Sequence, residues 1–420
     1  MRNAGTMNEE RGAWRFVCTE PGSTFGWLAF TLVQKGAMVK IAIVTGDDLV
    51  SDDPQELCAA LAARGHEATA YVRQPGRRPA KVIRVGPRAA APAAEVLPHV
   101  AEWAAVLERM WSSDAPDVVH AYGWLGGLAA QLAARRRGLP TVQTFLGLAA
   151  TSGSASGDRR ERERERIEPL LARGATWVTG ECTADVDVLA RLRRGRARVS
   201  SLCGGVDVER FSPVGPAAAR NGLHRILCLA PDLLEHHGFD ITLRAMPKVV
   251  GAELVLAETA AGGPGHDEAR AKLERLAAES GVSDRVRFAG AVGGGDLPSL
   301  LRSADVVACT PRRPPPATQV LQAMASGVAV VTLPVGVLTD AVVDGVTGQV
   351  LSQRSPAALA AALRSLLAQS FHCESMGAAG RSRAVSRFTW DRIALDSLNM
   401  YRQLVSRHWL PAEFQSTGAR

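Results

Sequence analysis

The chain has 420 residues, too many for one ordinary hydrophobic core, so two domains are the natural expectation. With 46% hydrophobic and 22% charged residues it reads as globular, which excludes the disordered, collagen-like and coiled-coil classes, and it has no apolar run of the roughly 20 residues that a spanning helix needs. The net charge of +7 is scattered and rests on arginine, with only five lysines. This looks like GC-rich coding and not a nucleic-acid footprint, although a basic surface suits peripheral contact with anionic lipid heads or nucleotide sugars.

Residues 1–37 hold a short apolar run after mixed charges, with neither the positive start nor the cleavage site of a signal peptide, and read as a loose extension. From Met38 onward, short buried strands alternate with amphipathic helices. Strands are predicted at 41–45, 66–73, 117–120 and 141–145, and helices at 54–64, 97–112 and 125–137, the last ending at Gly138. Such alternation argues for a parallel, doubly wound sheet. The run 160–166 alternates charge sign at every residue and is expected to be a solvated helix entry. Seven cysteines, far apart and without a CxxC pair, read as buried thiols in a reducing cytoplasm. A nicotinamide or flavin enzyme is unlike this chain, because only Gly46 follows the first strand where a G-x-G-x-x-G loop belongs.

A second series follows a linker at 214–221, with strands at 225–229, 253–257 and 286–289 and helices at 239–249 and 267–280. The stretch 304–351 is the most specific. A buried strand at 306–309 leads through a proline-rich loop to a helix starting near Thr318, then a strand at 328–333. Such a βαβ unit aims its helix N-terminus at whatever lies beyond the strand ends, a place suited to an anion such as phosphate. A final helix is expected at 388–407, where Trp390, Ala394, Leu398, Tyr401 and Val405 share one apolar face.

The wording LQAMASG…VV…VG…D.VVDGVTG within 304–351 resembles the donor-sugar half of the family 4 glycosyltransferases, as Gly204-Gly205-Val206-Asp207 through Pro213 resembles their interdomain signature GVD..RF.P. The resemblance covers most of 38–404. It implies a GT-B fold of two Rossmann-like, doubly wound parallel-sheet domains facing a cleft, an acceptor-side domain at 38–213 and a nucleotide-sugar-side domain at 214–385. The helix at 386–408 would cross back to the first domain, ahead of a tail at 409–420. It further implies retaining transfer of a hexosyl group from a nucleotide diphosphate sugar to a small or lipid-linked acceptor, with no metal or other cofactor, because protein cations stabilise the leaving diphosphate.

Nearly every residue that would carry this chemistry departs from the pattern. The family's glycine loop corresponds to the stretch from Asp47-Asp48 to Asp52-Asp53, which carries four carboxylates; Asp52 and Asp53 suit an N-cap and first helical turn. His120-Ala121-Tyr122-Gly123-Trp124 resembles the acceptor-facing HAHFW segment, although a lone His120 fits a structural role at least as well. Thr144-Phe145-Leu146-Gly147 resembles TFHA, with Leu146 at the histidine beside the reacting sugar carbon. In 230–240, Asp232 and His237 take the places of the arginine and lysine that grip the diphosphate. Two unit charges about 4 Å apart interact by about 4 kcal/mol at an effective dielectric of 20, so attraction turned to repulsion weakens binding by decades. The adjacent His236 and His237 are expected to point apart on a helix start, and no metal site is expected there. Pro314 and Gln322 replace the family's two glutamates, and Pro314-Pro315-Pro316 supply no amide donors. A rewired donor site would draw on Arg312, Arg313, His237, Thr318, Gln322 and the backbone at Gly290 to Val292. The alternative is a catalytically inactive relative acting as a binding or regulatory protein partner.

Overall fold

The computed structural model describes residues 9–10, 13–14, 38–46, 53–73, 81–86, 96–151, 159–260, 262–263 and 265–408. Met1–Val39 forms a unit of its own, in which Glu9–Glu10 pairs antiparallel with Ala13–Trp14. The pattern of residues 1–37 does not announce that pairing. The rest of the expected extension, the acidic loop with Asp47 and Asp52, and the tail at 409–420 lie outside the described residues.

Within Lys40–Arg420, two all-parallel sheets form. The first contains β1 (Lys40–Thr45), β2 (Glu67–Val72), β3 (Val82–Arg84), β4 (Val118–Tyr122), β5 (Thr141–Phe145), β6 (Trp177–Gly180) and β7 (Val199–Ser201). Its spatial order is β3-β2-β1-β4-β5-β6-β7. β4 and β5 are buried at every position, as strands covered by helices on both faces must be. Helices α1 (Asp53–Ala63), α2 (Val100–Ser113), α3 (Trp124–Arg137), α4 (Arg159–Gly174) and α5 (Thr183–Leu192) supply the crossovers. The second sheet contains β8 (His224–Ala230), β9 (Ala252–Glu258), β10 (Val286–Ala291), β11 (Val306–Cys309), β12 (Ala329–Thr332) and β13 (Gln349–Val350), ordered β10-β9-β8-β11-β12-β13. It carries α6 (Phe239–Ala245), α7 (His266–Glu279), α8 (Leu297–Arg302), α9 (Thr318–Ala325), α10 (Leu338–Ala341), α11 (Pro356–Ala368) and α12 (Ser370–Arg387).

Both sheets reverse strand order between their first and fourth strands. In open α/β sheets, the crevice beyond the strand ends at that switch point is where ligands bind. The candidate residues follow from this. Tyr122 and Trp124 sit at the end of β4, the fourth strand of the first sheet. Asp232 to His237 follow the first strand of the second sheet, and Arg312 to Gln322 follow its fourth.

The last helix, α13 (Trp390–His408), returns to the first sheet as expected. Its start is fixed by the interdomain signature: Val206 donates to the Phe388 carbonyl at 2.7 Å and pairs in parallel with Thr389. A Cβ at Gly205 would fall 2.5 Å from the Trp390 ring, so only glycine fits there. Arg64 grips both carboxylate oxygens of Asp391 at 2.7 and 2.6 Å. Further along, the fully buried Tyr401 hydroxyl lies 2.5 Å from Nδ1 of His120. Among the described residues no helix is long and apolar enough to cross a membrane.

Removing the Tyr401 hydroxyl leaves a buried imidazole nitrogen without its partner, a loss of about 1–3 kcal/mol. Urea unfolding of Tyr401→Phe at pH 7 should show that deficit; unchanged stability would mean the contact is not formed.

Candidate functional site

On the acceptor side, His120 is fully buried. Its Nε2 lies 2.6 Å from Thr144 Oγ1, which lies 2.6 Å from Thr179 Oγ1, so a hydrogen-bond chain runs from Tyr401 across β4, β5 and β6. Burial pushes the His120 pKa down to about 3. A neutral ring held at both nitrogens has no route to an acceptor, which corrects its acceptor-side candidacy: His120 is a structural histidine. Tyr122 stacks on it with ring centroids 4.4 Å apart, and both Tyr122 and Trp124 are buried. These three residues shape the inside of the first sheet and do not line an open acceptor surface.

The loop after β5 is braced from below. Arg164 donates to the Gly147 carbonyl at 2.6 Å and pairs with Glu168 at 2.8 Å and Glu161 at 3.1 Å. Glu168 also accepts from the Ala149 amide at 2.9 Å, and burial, opposed by Arg164, raises its pKa to about 6. The run 160–166 does open a helix whose Arg162, Glu165 and Arg166 are solvated, but its other face is not: Glu161 and Arg164 are largely covered and hold the loop bearing Leu146. Across the cleft, a Cβ on Gly147 would lie 3.8 Å from Cβ of Pro314. The loop bearing half-buried Leu146 thus meets half-buried Pro314, and neither of these positions, which the resemblance sets beside the reacting sugar, offers a side-chain polar group. A second bridge joins the two halves where Asp340 accepts from the amide and hydroxyl of Thr183 at 2.6 and 2.8 Å. A carboxylate at the N-terminus of α5 is well placed electrostatically.

On the donor side, β8 ends at Ala230 and the chain makes an Asx turn, with Asp232 accepting from the Leu234 amide at 2.9 Å. A single 3-10 turn, Glu235–His237, follows, and Gly238 leaves it at φ 76°. A Cβ there would strike the Thr310 carbonyl, which corresponds to the loop after β11 pressing on this turn. Thr310 Oγ1 donates to Gly238 O at 2.9 Å and the Arg312 amide to His236 O at 2.8 Å. The first-strand and fourth-strand loops are therefore stitched together.

That stitching changes what the candidates can do. Arg312 does not reach toward a diphosphate: its guanidinium is held by Asp240 at 2.7 Å, with Glu235 at 3.9 Å. Arg313 lies close enough to His236 to help lower its pKa, which burial first and His237 second bring down to about 4. The expectation that the adjacent histidines point apart is overturned. On a one-turn 3-10 element their rings approach to 3.9 Å between centroids, and His237 Nε2 lies 3.1 Å from Asp232 Oδ1. Burial raises the Asp232 pKa, but His237 and the Leu234 amide outweigh it and hold the carboxyl below its usual range. Thr318 opens α9, and Gln322, one turn on, has a buried Oε1 that meets no hydrogen-bond partner among the described residues. Gly290, next to the end of β10, has φ 68°, and Val292 donates to the carbonyl of Glu258 at 2.8 Å, at the end of the neighbouring strand β9. A groove of about 660 Å³ lies between α6 and α7, lined by both acids and bases such as Asp240, Glu268 and Lys272. Leu233, Leu234 and Glu235 of the turn after β8 and Arg312 of the loop after β11 also line it, so the groove runs from the helix flanks up to the stitched loops of the switch point.

Residues 218–383 match the family model described as glycosyl transferases group 1, and residues 52–205 match that of the glycosyl transferase 4-like domain. The D-inositol 3-phosphate glycosyltransferase of Frankia alni is 34% identical over 307 residues, covering 69% of this chain and 75% of that protein. The chain belongs to the family 4-type glycosyltransferases. The proteins of the same name from Salinispora arenicola and Salinispora tropica are each 32% identical over 70% of this chain, which spans 70% and 65% of their lengths. The GT-B fold is shared with sucrose-phosphate synthase of Thermosynechococcus elongatus, at a TM-score of 0.76 and 21% identity over 88% of this chain and all of that one. It is shared equally with Anabaena HepE, solved with UDP and glucose, at a TM-score of 0.68 and 17% identity over 89% of this chain and all of that one. In this chain, the inward face of α4 and the Asp340 bridge were not foreseen from the sequence. The short spacing from Glu161 through Arg164 to Glu168 is the one signal that pointed to the former.

Two outcomes follow. His120 has a folded pKa near 3 against 6.5 unfolded, so the unfolded chain binds the extra proton between those values. Its contribution to stability is complete above pH 6.5 and is lost as pH falls toward 3. His120→Gln should therefore flatten the fall in melting temperature between pH 6.5 and 4, and an unaltered slope would contradict the burial. Asp340→Ala should speed amide exchange at Thr183, whereas unchanged exchange would mean that Asp340 does not cap α5.

Proposed function

We propose that this glycosyltransferase binds a nucleoside diphosphate sugar at the β8–β11 switch point and transfers the hexosyl group, with retention, to a small or lipid-linked acceptor through a rewired donor site. The observation that carries this is the crevice itself. Two loops at the strand ends are stitched together there, with the N-terminus of α9, the unpartnered Gln322 Oε1 and Arg313 grouped around it. A ribose hydroxyl could donate to Gln322, while the N-terminus of α9 and Arg313 favour phosphate. The relatives named D-inositol 3-phosphate glycosyltransferase support a small phosphorylated polyol as acceptor, and the UDP complex of Anabaena HepE supports a uridine diphosphate donor.

In retaining transfer the bond from sugar to diphosphate breaks through an oxocarbenium-like state, and stabilising the departing negative charge is the largest catalytic requirement. Arg313, a neighbour of His236, is one cation available for that task. A second reading, an inactive relative that serves as a binding or regulatory partner, is favoured by one observation: Leu146 and Pro314 close on the reacting position without a polar side chain. Incubation with UDP-, GDP- and ADP-hexoses decides between them. Release of free nucleotide dependent on a polyol phosphate supports transfer; donor binding without any release supports the inactive relative.

In a chelating buffer the protein should bind nucleotide diphosphate sugars no tighter than about millimolar, equivalent to about 4 kcal/mol. Asp232→Arg combined with His237→Lys should tighten that binding, and added salt should erode the gain. Calorimetry showing micromolar binding by the unaltered chain in chelator would contradict this.

A further inference from the structure

We propose that Asp232, His236 and His237 form a divalent-cation site at the donor crevice. Each offers one donor atom, and the three atoms lie within 4.8 Å of one another. Donors on bonds of about 2.0–2.1 Å around a tetrahedral ion lie about 3.3 Å apart, so small side-chain rotations close the set. The pair formed by Asp232 Oδ1 and His237 Nε2 already stands at 3.1 Å. That nitrogen belongs to a side chain only 10% exposed, and despite the short distance it makes no aligned hydrogen bond among the described residues. A largely buried imidazole nitrogen without an aligned partner, with a carboxylate oxygen and a second imidazole donor within 4.8 Å, is a donor set that a cation would complete.

The backbone holds the set in place. The Asx turn at Asp232, the left-handed Gly238 and the Arg312 amide on His236 O fix all three residues relative to one another. Two imidazoles and one carboxylate suit zinc, cobalt or nickel better than magnesium or calcium, which prefer oxygen. Three protein ligands also leave a coordination position for an outside group.

The cation answers the loss of charge in this crevice. Asp232 and His237 stand where the resemblance sets an arginine and a lysine, and a bound divalent ion would return positive charge to the same place, next to Arg313. Its use in holding a diphosphate oxygen rests on the donor reading above.

The test uses the full, tag-free chain stripped with chelator and titrated with Co2+ alone, followed by visible absorption. One equivalent should saturate a cobalt signal, and Asp232→Asn and His236→Gln should each weaken binding by at least about a hundredfold. Absence of the signal, or titrations unchanged by both substitutions, would overturn the site. Asp232→Asn keeps an oxygen for the Leu234 amide, and His236 is only half-buried, so both variants should melt with the native chain in chelator. Should Asp232→Asn melt early, His236→Gln decides. UDP, ADP and GDP are then titrated with and without Zn2+. The native chain should gain at least about tenfold in affinity and His236→Gln should not. Cobalt binding without that gain would keep the cation site and remove the donor reading.

Discussion

The contact of Tyr401 with His120 makes two separate sheets into one working body. Helix α13 leaves the second sheet, is pinned at its start by Val206 and Gly205, and delivers a hydroxyl into the interior of the first. The hydrogen-bond chain from that hydroxyl through His120 and Thr144 to Thr179 satisfies four buried polar side chains at once. With α13 anchored in this way, the strand ends of the two sheets approach one another, and Gly147 meets Pro314 while Thr183 meets Asp340. The position of the cleft is thus a consequence of a buried network some distance from it.

Within that frame, the chemistry is a question of charge. A family 4-type donor site must hold a diphosphate, and this chain lays a carboxylate, Asp232, and a histidine, His237, where an arginine and a lysine are implied. Arg312, the nearest obvious replacement, is already held by Asp240. What remains is Arg313, the N-terminus of α9 and a constellation of three potential metal ligands. Fold is conserved more easily than chemistry because packing needs only shape and apolarity, whereas charge stabilisation needs particular atoms at particular points.

Much of the fold was legible because buried parallel strands have little choice of sequence. Lys40–Thr45, Thr141–Phe145 and Val306–Cys309 are short β-branched runs bounded by helix signals, and each formed where expected. Helix α12 was missed for a physical reason. It packs through glycine: a Cβ at Gly377 would strike the Gly327 carbonyl, so close approach replaces the apolar stripe that periodicity detects. Helix α11 was missed despite a usable signal, Ser355 capping the Ala358 amide ahead of Pro356. At the site, the substitutions themselves were readable, but their consequences were not. Whether His236 and His237 diverge or converge depends on a 3-10 turn instead of an α-helical one, a difference of a few backbone angles that the residue types do not fix. That Arg312 is spoken for depends on Asp240, which lies far from it in sequence.

On the proposed cation site, charge at the β8–β11 crevice is supplied by a metal ion held on Asp232, His236 and His237. Crystals soaked with Zn2+ and a nucleoside diphosphate, measured on both sides of the zinc absorption edge, test it most directly. An anomalous peak should appear within bonding distance of all three side chains, with a phosphate oxygen completing the coordination. A diphosphate bound in the crevice with no metal beside it, or a zinc peak at some other place in the chain, would contradict it.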